Sequence, residues 1–529
     1  MSAIITDQFR ILNANNFVES VENTNNSYYV FVGLPNPAGT STLVGYGRSS
    51  DWNSNTPSPT DSFSYRLHTG DTSMFGKKVS SANIRRIIRR IDWVEGNRYE
   101  IYRDDYSVEN PSPLTKANRL YDANFYVLNS DFKVYICIDN GSTGANPLGN
   151  VSQDEPTFTD LEPSKAGNSG DGYVWKYLFT VAPSDIIKFD STEFITVPNN
   201  WSTSNDSQVR AVRENRNSDD NLNQKKHVYI ENPGSGYADG LNQEVDIIGD
   251  GEGAKARVDI ENNTITNITV SSGGKGYSYG IVDLGNLNSG VTGSGRAKLI
   301  PIIPPSLGHG HDLYTELGTD RVIVYARFDD STKDFPIDTK FSQVGIVKNP
   351  TKVGTAITYT DSTYSSVKAL KFESVSGSPQ VGEEITQTLT IAPNIGKVAT
   401  AYVASYDSET KVLKYFRDRS LNFNRTTYDH TDYIGISTAG RIYEFESGIG
   451  VNNVDGRTSS FSGSISQSFS GITTNPTGTK LINLGVNFIS GLSNSEINKG
   501  SGEVIYLDNR PLIVRNSRQK EDIKIILEF

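Results

Sequence analysis

The stretch GDGYVWKYLFTV, residues 170–181, decides how the fold of this chain is interpreted. Two glycines flank an aspartate, as in a phosphate-binding loop, but such a loop needs a helix after it whose free N–H groups meet the anion. Here Tyr173, Trp175 and Tyr177 follow at every second position, and this period of two predicts a strand. Because apolar side chains occur on both faces, we expect a turn that leads into a buried strand.

The composition of the whole chain also favours strands. Its 529 residues include 47 Gly, 27 Tyr and 22 Phe, and long stretches rich in Ala, Leu, Glu and Lys are scarce. At ~150 residues per domain, the length predicts three or four domains. We therefore predict a mainly β, multi-domain protein with sandwich-like or barrel-like β domains and a few short helices.

The first residues of the chain have a pattern typical of a helix. In residues 4–22, Ile5, Phe9, Leu12 and Phe17 recur at roughly helical spacing. This spacing predicts a short amphipathic helix.

A second short helix is predicted at SANIRRIIRRIDW (81–93). On a helix its arginines would share one face, since i and i+4 neighbours lie side by side; they are Arg85, Arg86, Arg89 and Arg90. A planar guanidinium suits pairing with carboxylates of another subunit. The formal net charge of −11 disfavours binding of polyanions. We therefore expect the stripe to face solvent or protein, and no nucleic-acid partner.

The C-terminal region has the clearest strand pattern. Ile523, Ile525 and Leu527 alternate with charged residues, and DNRP (508–511) is predicted to turn between two strands. Further strands are predicted at residues 27–34, 97–102, 124–129, 132–138, 194–197, 321–330 and 341–350.

The composition changes in the middle of the chain. Residues 202–226 are polar and indicate a linker or an exposed excursion. Beyond them, HVYIENPGSGYADG (227–240) resembles TNITVSSGGKGYSYG (266–280), and each copy is followed by a second pair of glycines. Two copies cannot close a propeller. We therefore predict a small β domain built from two similar halves.

No set of residues in the sequence assembles a reaction. GHGHD (308–312) brings two histidines together, but an exposed, flexible glycine-rich turn explains it better than metal ligands. Cys137 is the one cysteine and lies in a predicted strand, so we expect no disulfide within the chain and no thiol nucleophile. We predict no catalytic residue, no metal and no cofactor.

The chain also lacks patterns that direct proteins to membranes. Its start has no basic segment followed by an apolar run, so we expect no signal peptide. No apolar run approaches the ~18 residues that span a bilayer. One cysteine is compatible with folding in a reducing compartment.

Several blocks of sequence, in order, resemble one family of viral proteins. They are YGRSSDW (46–52), PTDS (59–62), IRRIDW (88–93), GDGYVWKYLFTV with EFITVP (193–198), FSQVGIVKNP (341–350), GEVIYLDNRPLIV (502–514) and EDIKIILEF (521–529). With these blocks the chain resembles the baseplate wedge subunits of T-even-type contractile-tailed bacteriophages, the gene-product-eight family. The resemblance covers about residues 1–201, 307–355 and 485–529.

The segments outside this resemblance are interpreted as β modules inserted at exposed loops, where insertion is well tolerated. The predicted organisation is a family core in three parts with two inserts: 1–225 (core), 226–305 (insert with the internal repeat), 306–355 (core), 356–484 (second insert) and 485–529 (C-terminal strands of the core).

The resemblance implies a structural role in the virion. Members of the family form homodimers in the baseplate wedge and contact other wedge proteins, and no catalysis or cofactor is attributed to them. It therefore implies a non-enzymatic protein of the tail baseplate, made and assembled in the host cytoplasm. Such a protein would link neighbouring wedge proteins while the baseplate assembles and rearranges.

Aromatic and arginine side chains are the best candidates for anchors at such interfaces. We select Arg48, Trp52, Arg85, Arg86, Arg89, Arg90, Tyr173, Trp175, Tyr177 and Arg510. For the two tryptophans, burial in the core of their own chain is the alternative. For Arg510, the alternative is that it holds the final turn.

A carbohydrate- or receptor-binding tail protein is the alternative from another class. The inserted modules would then expose Tyr237, Tyr277 and Tyr279 as stacking platforms, although glycine-flanked tyrosines also suit packing at β-turns. An enzyme that degrades the host envelope is a third alternative, and the absence of a catalytic set in the sequence disfavours it.

Overall fold

The structure of this protein is a computed structural model. It describes residues 5–34, 56, 58–59, 61, 66, 69–70, 72–215, 223–287, 295–305, 307–329, 340–417, 443–515 and 519–529. Over these residues the chain is mainly β with several separate sheets and four α-helices, which confirms the predicted fold class. In the same part of the chain, no helix is long and apolar enough to cross a membrane.

The helices and strands are numbered along the chain. The helices are α1 (Asp7–Glu22), α2 (Pro183–Phe189), α3 (Ser207–Glu214) and α4 (Leu313–Glu316). The strands are β1 (Tyr28–Gly33), β2 (Ser73–Val79), β3 (Ile84–Arg89), β4 (Tyr126–Leu128), β5 (Lys133–Asn140), β6 (Tyr173–Thr180), β7 (Phe194–Val197), β8 (Val228–Asn232), β9 (Gly240–Gly249), β10 (Glu252–Glu261), β11 (Thr264–Lys275), β12 (Gly280–Val282), β13 (Lys298–Pro301), β14 (Arg321–Phe328), β15 (Lys340–Lys348), β16 (Thr363–Ser365), β17 (Lys368–Ser376), β18 (Glu384–Thr388), β19 (Val398–Asp407), β20 (Val412–Phe416), β21 (Val454–Gly456), β22 (Ser462–Ile465), β23 (Gly471–Thr474), β24 (Ile482–Phe488), β25 (Leu492–Ser493), β26 (Glu503–Val514) and β27 (Glu521–Glu528).

The chain divides into two compact units. The first contains Met1–Val18, Arg85–Ile323 and Ile526–Phe529, and the second contains Glu19–Ile84 and Val324–Ile525.

The first unit has an aromatic core around the antiparallel sheet β4-β5-β6. Phe125, Tyr135, Trp175 and Trp201 are all fully buried in this core. Because large aromatic side chains bury 150–250 Å² each, these rings supply much of the buried surface of this core.

A second core of the first unit lies in the repeat region. There the antiparallel sheet β11-β10-β9-β12 accompanies the pair β13-β8. Val245 and Ile247 on β9, and Val258 and Ile260 on β10, point alternately into this core. The period of two explains why both strands expose charged residues on the other face.

The second unit contains a closed barrel. Strands β17, β20, β19, β18, β21 and β22 pair in this order, and the pairing of β17 with both β20 and β22 closes the ring. Leu370, Phe372 and Leu413 are among the side chains buried in its interior, as the alternation of small barrels requires. The same unit holds the sheet β16-β2-β1-β15-β26 and the hairpin β23-β24.

A further sheet has the strand order β27-β14-β3-β7. Its strand β3 corrects the prediction of a helix over residues 81–93, where only a short 3-10 turn, Ser81–Asn83, precedes the strand. The β-branched residues Ile84, Ile87 and Ile88 favour an extended backbone, and all three are buried. Pairing with β7 then fixes the register.

Two other segments differ from the prediction. Residues 97–102 form no strand, although Tyr99, Ile101 and Tyr102 are buried. The polar segment 202–226 contains α3, which begins where the carboxylate of Asp206 accepts hydrogen bonds from two backbone N–H groups. This N-cap supplies the start signal that the apolar pattern lacked.

The predicted helix α1 is confirmed, but its exposed and buried faces require a correction. Its buried side carries Ile11, Ala14, Val18 and Val21. Of the residues that predicted the helix, Phe9 (52%) and Leu12 (52%) lie on the other side and are about half exposed, and Ile5 (56%) precedes the first helical residue. Both sets have helical spacing, so the periodicity alone did not decide which set is buried.

Candidate functional site

The GDG sequence forms a turn, as predicted. Gly170 and Gly172 have positive φ angles of 73° and 87°, which suit glycine. Between them, the carboxylate of Asp171 accepts hydrogen bonds from the backbone N–H groups of Tyr173 and Gln153, both at 2.9 Å. Asp171 thus braces the entry into β6.

The aromatic side chains of β6 lie in the core of their own chain. Tyr173, Trp175 and Tyr177 on one face are at most 3% exposed, and Lys176 and Leu178 on the other face are at most 1% exposed, so the expected burial on both faces is confirmed. The ring of Trp175 stacks on Tyr173 with 5.3 Å between centroids and meets Tyr99 edge-on at 5.7 Å. In this conformation the three side chains offer almost no surface to another chain, and a role for them at an interface stays a prediction.

The indole N–H of Trp175 is an exception in this core. Among the residues that the structure describes, its Nε1 atom is buried without a hydrogen-bond partner. Such a group costs free energy in a folded chain. The ring is therefore held by packing and not by its polar atom.

The arginines of β3 bind groups of their own unit. Because the segment is a strand, neighbouring arginines point to opposite faces, and the predicted helical stripe does not form. Arg85 forms a salt bridge of 2.8 Å with Asp185, and Arg90 binds Asp92 and Asp190 at 2.9 and 3.1 Å.

The other two arginines of the set are more enclosed. Arg86 is 3% exposed, donates hydrogen bonds to the side chains of Asn15 and Asn199, and lies 4.1 Å above the ring of Tyr314. Arg89 donates to the backbone carbonyls of Tyr121 and Ala123. All four guanidinium groups therefore hold parts of the unit together, and a contact with a partner chain stays a prediction.

Arg510 has a more accessible position. The sequence DNRP does not turn between strands; it lies within the continuous strand β26, where residues 510–512 oppose the single residue 342 of β15. Pro511 cannot donate to the ladder, so the strand bulges there instead of reversing. The Arg510 side chain is 61% exposed beside Asp508. Arg48 and Trp52 lie outside the described residues.

The predicted repeat has matching backbone conformations in its two halves. Gly236 and Gly276 precede the two equivalent tyrosines and have φ angles of 89° and 77°. Each tyrosine hydroxyl accepts a hydrogen bond from the other half: Tyr277 from the backbone of Ala254 at 3.2 Å, and Tyr237 from that of Ala297 at 2.9 Å. The tyrosine of each half therefore packs against and hydrogen-bonds to the other half, and this reciprocal contact is called the exchange.

This exchange overturns the prediction of tyrosine platforms for sugar rings. Tyr237 and Tyr277 are 1% and 4% exposed, because their rings fill the core of the repeat. Tyr279 alone of the three is exposed, at 57%. A single exposed ring does not make the predicted stacking surface.

Lys225 lies beneath the repeat and is fully buried. Its ammonium group lies over the ring of Tyr277, a favourable site for a cation. Among the described residues its Nζ atom has no hydrogen-bond partner. Burial lowers the pKa of Lys225 to about 7.

The GHGHD sequence forms a turn whose first histidine is enclosed and not exposed. The Nδ1 atom of His309 lies 2.6 Å from the Glu316 carboxylate, and its ring packs edge-on against Tyr102. His311 faces the backbone carbonyl of Arg213 at 3.2 Å. The prediction of an exposed, flexible turn is therefore wrong for His309. Across the described ranges, no three His, Cys, Asp or Glu side chains form a cluster that could hold a metal.

Sequence reasoning did not select the exposed face of α1 as a site. Phe9 and Leu12 are about half exposed on that face, and Ile5 is exposed just before the helix. The sequence could have indicated it, because α1 carries a second set of apolar residues at helical spacing: Ile11, Ala14, Val18 and Val21. Two apolar stripes on one helix indicate that one of them faces something other than the chain's own core.

Comparison with known proteins finds one partial similarity, to a bacteriophage protein. No family model matches it. It is similar to the "Baseplate wedge protein gp8" of Enterobacteria phage T4, with 27% identity over 223 residues. The match covers 37% of this chain and 60% of that protein, so the chain spans less than two thirds of the relative's length. The similarity supports a relationship to baseplate wedge proteins over this part.

Proposed function

We propose that this chain is a structural subunit of a bacteriophage tail baseplate, and that it acts in the baseplate wedge without catalysing a reaction. The observation that carries the proposal is the partial similarity to the baseplate wedge protein of phage T4. The blocks of sequence that resemble this family in order also support it.

The proposed mechanism is mechanical. The subunit would link neighbouring wedge proteins of a contractile tail while the baseplate assembles in the host cytoplasm and later rearranges. Two inserted modules, 226–305 and 356–484, would extend a family core. A closed barrel suits this role because it has no free strand edge along its ring. The arginines of β3 also hold parts of their own unit together.

The proposal is tested by locating the chain in the virion. Tails purified from the virus that encodes it would be imaged by electron cryo-microscopy, and its density assigned with the barrel as a fiducial. We expect six-fold related copies in the body of the baseplate, in contact with other wedge proteins. Copies at fibre tips alone, or none in the particle, would contradict the proposal.

The resemblance also leads us to propose a homodimer. Light scattering of the purified chain at micromolar concentration measures this directly. We expect twice the mass of the 58.1 kDa chain, and a monomer over the whole concentration range would remove the dimer from the proposal without affecting the location of the subunit.

A further inference from the structure

The carboxylate of Glu162 brings together an amine and two side-chain amides near the start of the repeat region. Its Oε2 atom accepts a hydrogen bond from the ammonium group of Lys226 at 2.7 Å. Its Oε1 atom accepts from the side-chain amides of Asn223 at 2.8 Å and Asn215 at 3.2 Å. These four residues are called the Glu162 cluster, and all of them belong to the first compact unit.

The amine of the Glu162 cluster is enclosed. The side chain of Lys226 is 6% exposed, and burial lowers its pKa despite the opposing attraction of Glu162. Lysine is a nucleophile only as the neutral amine, which burial favours. Burial alone would raise the pKa of Glu162, but hydrogen bonds from Lys226 and Asn223 lower it overall. A carboxylate therefore lies within reach of the ammonium proton.

The side-chain amide of Asn215 is placed as an electrophile for this amine. Its Oδ1 atom accepts a hydrogen bond from the Asn223 amide at 3.0 Å, and such a donor stabilises negative charge that develops on the oxygen. Its Nδ2 atom donates to Glu162 and, at 2.7 Å, to the backbone carbonyl of Leu161. The same carboxylate therefore contacts both the attacking amine and the nitrogen that would leave.

We propose that Lys226 and Asn215 form an intramolecular isopeptide bond. The Nζ atom of Lys226 attacks Cγ of Asn215, and the Cγ–Nδ2 bond breaks as the Cγ–Nζ bond is completed. Glu162 carries two protons in turn from Nζ to Nδ2 and ends as a carboxylate. One ammonium group and one primary amide thus become one secondary amide and one ammonium ion, so no oxidant or cofactor is needed.

The position of the cluster suits such a bond. The side chain of Glu162 is 57% exposed, so the ammonium ion can leave to solvent. The bond would connect the residue after α3 to the segment that leads into β8. Like a disulfide, it would close a loop and restrict the unfolded chain. A chain with one cysteine cannot form an internal disulfide for this purpose.

Mass spectrometry of the purified full-length chain under denaturing conditions tests the proposal. We expect the chain to be lighter than its sequence by one molecule of ammonia. Tandem mass spectrometry of a digest should show residues 215 and 226 joined. Lys226→Arg keeps the positive charge beside Glu162 but cannot form the bond, so this variant should have its full sequence mass.

A matched control replaces another lysine that is paired with a glutamate. The ammonium group of Lys298 also lies 2.7 Å from a carboxylate, that of Glu231, but it is 64% exposed and lies outside the Glu162 cluster. Lys298→Arg should therefore keep the loss of ammonia.

Glu162→Gln tests the proton transfer. A positioned general base contributes ~10²–10⁴-fold to a rate, so we expect the linked fraction in a freshly purified sample to fall by at least about 10-fold. Circular dichroism checks that the variant is folded. A folded Glu162→Gln chain that is as fully linked as the unmodified chain would overturn the mechanism.

The other outcomes are equally decisive. Full sequence mass in the unmodified chain would overturn the proposal. An ammonia loss that persists in Lys226→Arg, or that maps to a single asparagine, would also overturn it, because an asparagine can lose ammonia by cyclising onto its own backbone. A link from Lys226 to Asn223 would likewise contradict the role given to Asn215.

Discussion

Strands β3 and β6 differ from the first two turns of α1 in how they use the residues that proteins favour at interfaces. The two strands contain arginine and aromatic side chains, the residues typical of binding hot spots, yet Arg86 and Trp175 are enclosed by their own unit. In the first turns of the helix, Phe9 and Leu12 are about half exposed.

The difference shows that the number of neighbours within the chain, and not the residue type, decides whether a side chain is available to a partner. Strand β3 has a neighbouring strand on each side, and even its guanidinium groups find acceptors within their own unit. A helix on the surface contacts its chain along one stripe only. If this holds, removing a buried aromatic or arginine side chain should lower the free energy of unfolding far more than removing an exposed one.

Removing the ring of Trp175 should have the largest effect. Trp175→Ala is expected to lower the free energy of unfolding by about 3–5 kcal/mol, because it leaves a large cavity in a tightly packed core. Trp175→Phe should cost less than half as much, since the indole N–H has no hydrogen-bond partner among the described residues. Denaturant unfolding followed by circular dichroism measures both.

Phe9→Ala is the matched control for an exposed aromatic ring. Its free energy of unfolding should stay within about 0.5 kcal/mol of the unmodified chain. A loss as large as that of Trp175→Ala would mean that the exposed face of α1 is part of the core, and the contrast between the two regions would not hold.

Arg86→Ala should have the next largest effect. It removes a buried guanidinium group, its hydrogen bonds to the side chains of Asn15 and Asn199, and its contact with the Tyr314 ring. We expect a loss of about 2–3 kcal/mol, measured by the same unfolding experiment. Arg510→Ala should change the free energy by less than about 0.5 kcal/mol, because that side chain is mostly exposed. An equal loss of free energy of unfolding in Arg86→Ala and Arg510→Ala would contradict a structural role for Arg86.

The sequence predicted the fold class and most strands because alternation is a local property. β6 and β27 follow their patterns closely. The helix predicted for residues 81–93 was wrong because two arginine pairs at helical spacing surround isoleucines that prefer a strand. Only the pairing with β7 decides between helix and strand there. In DNRP, the proline indicates that the hydrogen-bond ladder is interrupted, but it does not distinguish a bulge from a turn.

The candidate sites were less predictable than the fold, since exposure depends on contacts between distant parts of the chain. Tyr237 and Tyr277 are buried because each reaches the opposite half of the repeat, and no local pattern encodes that exchange. The stripe on α1 could be recognised as apolar from the sequence, but which of its two stripes faces outward could not.

Replacing Lys225 tests a buried charge that lacks the partners of Arg86. Burial lowers the pKa of Lys225 to about 7, far below the ~10.4 of an unfolded chain. Between these values the unfolded state binds more protons, so stability rises with pH from about 7 to 10. Lys225→Met should remove the part of this rise that Lys225 contributes, while buried Lys176, whose pKa is lowered to about 8, keeps its own part, and it should add about 1–2 kcal/mol at pH 7.

Unfolding curves measured from pH 6 to pH 10 check this prediction. Lys397→Met, at an exposed position, serves as the control and should keep the pH dependence of the unmodified chain. Destabilisation at pH 7 by Lys225→Met would contradict this prediction. It would mean that the attraction between the ammonium group and the Tyr277 ring exceeds the free-energy cost of burying the charge.

The smallest expected effect concerns single hydroxyl groups in the repeat. Tyr277→Phe and Tyr237→Phe each remove an acceptor for a backbone N–H of the other half, at about 1 kcal/mol apiece. The loss should be greater for Tyr277, whose hydroxyl also donates to the carbonyl of Ile247 at 2.9 Å. Amide hydrogen exchange resolves the effect by residue: Tyr277→Phe should accelerate exchange at Ala254, and Tyr237→Phe at Ala297. Acceleration confined to the half that carries the substitution would show that the halves are stable independently, and burial of these rings would then reflect packing within each half alone.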